Sequence, residues 1–260
     1  MTQVQAKPID HFRDRSIADM EKHLEMPNWP VQQKLALACR IMAMEGHGSG
    51  LSGQISTRGP RAGTYWMLGF GLGFDEACAR NIVLCDDELN LLQGSGMVNP
   101  ANRFHVWIYR HRPEVNCIVH THAPNVSALS MIGEPLAVSH MDATMFYEDC
   151  AYLRDWPGVP IGDEEGRIIQ DALGGKRAIL LAHHGLLTAN GTIEEAAVLA
   201  VFLERAAKLQ LLARAAGEIK PIPPELAREA HDWRLKPMMI AGQFNYFARR
   251  ALREGDDCLR

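Results

Sequence analysis

No stretch of this 260-residue chain approaches the roughly 18 consecutive apolar residues that a membrane-spanning helix needs, so no membrane partner is expected. The N-terminus, Met-Thr-Gln-Val-Gln-Ala-Lys-Pro, lacks the basic segment and apolar core of a secretory leader, and the cytoplasm is the expected location. Basic residues form no stripe. With 27 Lys and Arg against 31 Asp and Glu, the net charge is −4, which argues against a nucleic-acid partner. Cysteine is sparse and unpatterned: Cys39, Cys78, Cys85, Cys117, Cys150 and Cys258 form no CxxC pair and sit mostly among apolar neighbours. Reduced, buried thiols are the expectation. Internal repeats, low-complexity tracts and flexible linkers are also missing.

What remains is an ordinary globular balance, 47% apolar and 22% charged. A domain of this length buries roughly 70–75% of its unfolded surface, so it folds without a structural metal. A metal here would serve chemistry.

Three regions follow from the pattern: an N-terminal arm over 1–30, a main domain over 31–216 and a helical tail over 217–260. Residues 31–44 carry apolar positions at helical spacing, with Gly46 as a stop. A glycine- and serine-rich loop over 46–53 runs into a short alternating segment. Thr64–Leu68, Asn81–Cys85, Val115–His122 and Ala178–His184 read as strands. Asn99-Pro100 is a helix start, and Thr192-Ile193-Glu194-Glu195 a capping box opening a long helix to Ala216, with Gly217 as its stop. Asp163-Glu164-Glu165 reads as a solvated turn, Trp156–Pro160 as a rigid loop, and the aromatic segment 244–247 as a core helix. Trp66, Phe70, Trp107 and Phe146 lie near the motifs and could line an apolar pocket or pack the core. Interleaved strands and helices predict a single α/β domain.

Histidines punctuate two of these strands. Side chains alternate along a strand, so His120 and His122 share a face, their backbone positions about 7 Å apart. Such a pair at a strand exit can converge on one transition-metal ion. A second apolar strand ends in His183-His184-Gly185, which packing explains poorly. His184, at the mouth, is the better third ligand; His183 is expected to orient it or to pack. A divalent ion on His120, His122 and His184 is thus expected, zinc first, with iron, manganese or cobalt accepted by the same donors.

The motifs Gly-Gln-Ile-Ser-Thr-Arg (53–58), Asn-Ile-Val-Leu-Cys-Asp (81–86), Val-Asn-Pro-Ala (98–101) with Phe104-His105, Ile-Tyr-Arg-His-Arg-Pro-Glu-Val (108–115), His-Thr-His-Ala-Pro (120–124), Phe-Tyr (146–147) and His-His-Gly-Leu-Leu-Thr (183–188) occur in one order. Over about residues 31–216 the chain resembles the class II aldolase/adducin superfamily. That resemblance implies a three-layer α/β/α sandwich around a mostly antiparallel sheet. It also implies a homotetramer with active sites between subunits and a small-molecule substrate. The three histidines would hold its divalent metal, and Gly53, Gln54, Ser56 and Asn99 would grip the substrate.

One departure stands out. Sugar-phosphate aldolases of this type carry an acidic residue shortly before the Arg-Phe-His sequence. Here Pro100-Ala101-Asn102-Arg103 contains no carboxylate, and the paired phosphate-binding serines are missing too. Asn-Pro-Ala is typical of adducin-like members, some of them decarboxylases or oxygenases. The candidates for the acid–base group are His105, His140, Asp142 and Tyr147, with 139–142 falling about where relatives present an acid from a neighbouring subunit. The expected function is a metal-dependent carbon–carbon lyase, aldolase or decarboxylase, acting on a small hydroxy- or oxo-acid through a metal-stabilised enediolate. The alternatives are a non-haem Fe(II) oxygenase on the same histidines and a non-catalytic assembly protein.

Overall fold

Eight short strands, rich in β-branched and aliphatic residues, hydrogen-bond into one sheet in the order β4-β3-β2-β1-β5-β8-β7-β6. They are β1 (Gln54–Arg58), β2 (Thr64–Leu68), β3 (Ile82–Asp86), β4 (Leu91–Gln93), β5 (Cys117–Thr121), β6 (Cys150–Leu153), β7 (Ala178–Leu181) and β8 (Gly185–Asn190). Every neighbouring pair is antiparallel except β6 with β7. The coordinates are a computed structural model describing residues 7–24, 27–159 and 161–260. The first six residues and residues 25–26 of the expected arm, and Pro160 of the expected loop, lie outside the described residues.

Helices cover both faces, giving the α/β/α layering. On one face α2 (Val31–Met44), α4 (Pro124–Met131), α6 (Ile193–Ala216) and α8 (Pro237–Glu254) enclose a core that includes Leu35, Ile55, Val119, Leu180, Leu199 and Phe244. On the other, α3 (Arg103–His111) and α5 (Asp163–Leu173) enclose Tyr65, Phe104, Ile118, Ile179 and Leu187. Strand alternation sorts these residues: Cys117 and Val119 face the first core, Ile118 the second. His120 belongs by the same alternation to the face of Ile118.

Helix ends follow local chemistry. Thr192 accepts the Glu195 backbone N–H and so caps α6, which stops at Gly217. The reciprocal half of the expected capping box is replaced: the Glu195 carboxylate accepts from Arg177 instead. Asn99 accepts from the Ala101 N–H, but the segment it opens is a 3-10 turn over Pro100–Asn102 before α3 begins. The acidic run from Asp163 is not a turn in solvent. It forms the first turn of α5, where carboxylates meet the positive end of the helix dipole. Glu204, buried in α6, accepts from the Asn125 and Val126 N–H groups and fixes the start of α4 just beyond His122.

Toward the C-terminus, α7 (Pro224–Arg234) packs against the segment 141–146, and α8 buries Phe244 and Phe247. The arm carries α1 (Ile9–His23), which buries no residue and ties to α7 through Arg13 and Glu229. Among the described residues no helix is long and apolar enough to cross a membrane.

Candidate metal centre

His120 is the penultimate residue of the central strand β5, flanked by Gln54 of β1 on one side and Leu187 of β8 on the other. It is almost wholly buried. Its Nδ1 lies 2.8 Å from the Leu186 carbonyl, which can only accept, so Nδ1 carries the proton and Nε2 presents a bare lone pair. That lone pair faces His122 Nε2 at 3.2 Å. Two nitrogens bound to one ion at about 2.1 Å each have this separation when they subtend roughly 100°. Strand β5 ends at Thr121, one residue short of the expected boundary, and His122 leads out of it toward α4.

The expected short apolar strand ending in two histidines, Ala178–His184, is part of a hairpin. β7 stops at Leu181, the turn Ala182-His183-His184 follows, and β8 begins at Gly185. His183 adopts φ 56°, a left-handed conformation that non-glycine residues seldom take. The His184 N–H donates to Leu181 O, and Ser127 Oγ donates to His184 O, pinning the turn from two sides. Gly185 sets its position: a Cβ there would collide with Thr121 O and meet His122 Cα at 3.2 Å. The missing side chain lets the hairpin close on the exit of β5. The His184 ring then stands 4.7 Å from His120 and 4.6 Å from His122, centroid to centroid.

The three rings therefore meet, with one ligand-type nitrogen from each within 4.8 Å of the others. Phe104 packs against His120 in a T-shaped contact, ring centroids 5.2 Å apart. Burial pushes the pKa of all three imidazoles down, that of His184 to about 4, with mutual repulsion adding to the effect on His120 and His184. At neutral pH they are uncharged. Three neutral imidazoles with one nitrogen each converging on a point form a donor set that suits a divalent ion.

The rings open into a cavity of about 510 Å³ lined also by Leu51, Ser52, Gln54, Phe70, Asn99, Ala101, Trp156, Val159 and His183. Gln54 Oε1 is buried and, among the described residues, has no hydrogen-bond partner. Asn99 faces the same cavity, its Oδ1 spent on the Ala101 N–H. Gly53, at φ 100°, passes beneath Phe74 and beside the His120 carbonyl, where a Cβ would be 3.1–3.2 Å from both.

Other residues singled out in the sequence lie elsewhere. Ser56 shares its strand face with Gln54 but sits two residues deeper, where α3 covers it. It is fully buried and hydrogen-bonded to His105 Nδ1 at 2.8 Å and Tyr109 OH at 3.0 Å, out of reach of a substrate. His105 is equally buried, its pKa driven to about 3 by desolvation. Asp142 is clamped between Arg205 at 2.5 Å and Arg234 at 3.1 Å, facing a second cavity behind α4 and α6. His140 is exposed and accepts the Asp142 N–H, while Tyr147 lies under the Arg228 guanidinium. None of the last three lines the histidine cavity of its own chain. Of the aromatic residues, Phe70 reaches the cavity, whereas Trp66 and Phe146 are core.

Sequence reasoning missed Ser52, Leu51, Trp156, Val159 and the exposed position of His183. Only the left-handed turn, invisible in composition, moves His183 from the sheet to the cavity wall.

Comparison with known proteins agrees with this architecture. Residues 33–211 match the model of the class II aldolase and adducin N-terminal domain. Among curated proteins, the 4-hydroxy-3-prenylphenylpyruvate oxygenase/4-hydroxy-3-prenylbenzoate synthase of Streptomyces roseochromogenus subsp. oscitans is 35% identical over 197 residues, covering 74% of this chain and 71% of its own. Decarboxylase NovR of Streptomyces niveus is 34% identical, covering 74% and 73%. Among solved structures, L-fuculose 1-phosphate aldolase from Glaciozyma antarctica PI12 superposes with a TM-score of 0.84 at 28% identity, over 94% of this chain and 99% of its own. On the matched domain, the sheet order and the converging histidines together, the chain belongs to the class II aldolase and adducin family.

Proposed function

We propose that the chain is a divalent-metal-dependent carbon–carbon lyase, a decarboxylase or aldolase, acting on a small hydroxy- or oxo-acid. The observation that carries this reading is the convergence of His120, His122 and His184 on one point at the foot of an open cavity. Those three side chains would hold the ion. When bound, the ion supplies an electrophile for adjacent oxygen atoms of the substrate.

The chain's own groups do the rest. The unpartnered Gln54 Oε1 accepts from a substrate hydroxyl, satisfying an otherwise costly buried acceptor. The Asn99 amide nitrogen, without a hydrogen-bond partner among the described residues, donates to a carboxylate. With no carboxylate among the described residues of the wall, His183 is the side chain there, outside the triad, able to carry a proton to or from the reacting carbon. In a homotetramer with sites between subunits, the exposed His140 imidazole is a second carrier that a neighbouring copy could bring; Asp142, locked between two arginines, is not.

A second reading, a non-haem Fe(II) oxygenase on the same histidines, is favoured by the Streptomyces relative named as an oxygenase. Metal analysis of protein purified without oxygen separates the two: zinc, manganese or cobalt with carbon dioxide or aldehyde released anaerobically supports the lyase. Iron with oxygen uptake supports the oxygenase. His122→Ala is expected to lose most of the bound metal while keeping its circular dichroism spectrum; unchanged metal content would remove His122 from the ligand set.

A further inference from the structure

The loop between β6 and α5 takes no part in the chemistry proposed above, yet it delivers two apolar side chains to the cavity. Trp156 and Val159 both line it, and both remain more than half exposed, at 54% and 61%. Leu51 and Phe70 line it as well, at 48% and 39%. An exposed tryptophan beside three further apolar side chains is costly in water unless something covers it. Trp156 belongs to no aromatic pair within the chain among the described residues, so its ring faces are uncommitted. The backbone supports this presentation: Pro157 stiffens the loop, and Gly158 turns it at φ 103° in open space.

Charge narrows the choice of occupant. Among the described residues lining the cavity there is no Lys, Arg, Asp or Glu. A phosphate carries nearly two negative charges and is held by guanidinium, ammonium or a nest of N–H groups; this wall offers none of the cationic donors. An apolar ring needs only desolvated contact area, which the wall provides.

We propose that Trp156 and Val159, with Leu51 and Phe70, form a specificity wall for the non-reacting end of the substrate. The substrate class is then a 2-hydroxy- or 2-oxo-acid bearing an aryl substituent, and not a phosphorylated sugar. This rests on the metal-site reading, because the acid end must be held at the histidines for the ring to reach the wall.

The test begins by measuring zinc content. Zinc-loaded protein is then titrated calorimetrically with mandelate, lactate and phosphoglycolate. Mandelate is expected to bind about 10–100-fold more tightly than lactate, the preference that burying one phenyl ring provides. Trp156→Ala should reduce that preference to about threefold or less while leaving zinc content and lactate affinity unchanged, and Trp156→Phe should retain most of it. Equal affinities for mandelate and lactate, absence of binding by any of the acids, or tightest binding by phosphoglycolate would each overturn the proposal. So would a Trp156→Ala protein that changes its oligomeric mass and keeps the ring preference, since the wall would then be a contact between subunits. Failure to load either zinc or iron(II) would remove the metal-site reading itself; a loaded protein indifferent to the ring removes this inference alone.

Discussion

Gly185→Ala is the most demanding perturbation of the metal centre, because it alters no ligand. The added methyl would occupy space held by Thr121 O and lie 3.1 Å from Thr121 C and 3.2 Å from His122 Cα. These are backbone atoms at the exit of a central strand, so no side chain can swing aside. Relief requires the hairpin turn to move by about 1 Å, and overpacking of this kind costs about 1–3 kcal/mol. In a chain of 260 residues that corresponds to a drop in Tm of about 2–10 °C. Metal–ligand distances tolerate only about 0.2 Å, so the same shift withdraws His184 from His120 and His122. Zinc affinity, read by competition with a chromophoric chelator, should fall at least about tenfold, a loss comparable to removing a ligand's supporting contact. Gly175→Ala is the control: a Cβ there meets nothing within 4 Å, and both readouts should stay at their wild-type values. If Gly185→Ala matches wild type in Tm and zinc affinity, the close approach of β8 to β5 does not position His184, and the argument built on it fails.

Three further outcomes are expected. Ser56→Ala should lower stability by about 1–2 kcal/mol, by leaving the buried His105 Nδ1 without its partner while the Tyr109 hydroxyl keeps the Ser56 carbonyl, and KM and metal content should stay unchanged; a large rise in KM would return Ser56 to the substrate site. His183→Gln should retain metal and lose turnover by about 10²–10⁴-fold, as for removal of a proton carrier; undiminished turnover would eliminate it. The third concerns pH. The hydrogen bond to Asp149 raises the His231 pKa against the opposing effect of burial, with Asp232 adding to the rise. A raised folded-state pKa contributes stability that is fully present below about 6.5 and lost as pH rises through the folded value. The Tm difference between wild type and His231→Gln should therefore be largest below pH 6.5 and shrink at higher pH; a gap that widens with pH would refute the assignment.

The parts legible in sequence were those fixed by local chemistry or strict periodicity. Thr192 and Gly217 bracket α6 because a cap and a stop act within one turn. His120 and His122 come together, as two-residue spacing at a strand exit suggests, although the strand itself stops at Thr121, and the family motifs carried the sheet architecture. What escaped depended on long-range placement. Gln54 and Ser56 look equivalent on their strand; only the position of α3 leaves one at the cavity and buries the other. His183-His184-Gly185 reads as the end of one strand because the turn relies on a left-handed residue and a backbone contact 64 residues away in sequence, at Thr121. The acidic residues of α5 resemble a solvated turn until the apolar side of that helix, with Ile169 and Leu173, finds the sheet. Asp142 resembles a catalytic carboxylate until two arginines from α6 and α7 arrive.

The sheet order has a consequence for how such a molecule can change. The histidine floor is anchored to β5 and the β7–β8 hairpin in the interior of an eight-stranded sheet, whereas Leu51, Phe70, Trp156 and Val159 project from connecting loops. Loops accept replacement far more readily than inner strands. Lineages could thus exchange the recognising rim while inheriting the reactive floor intact, so drift in what is accepted need not await any redesign of what is done to it.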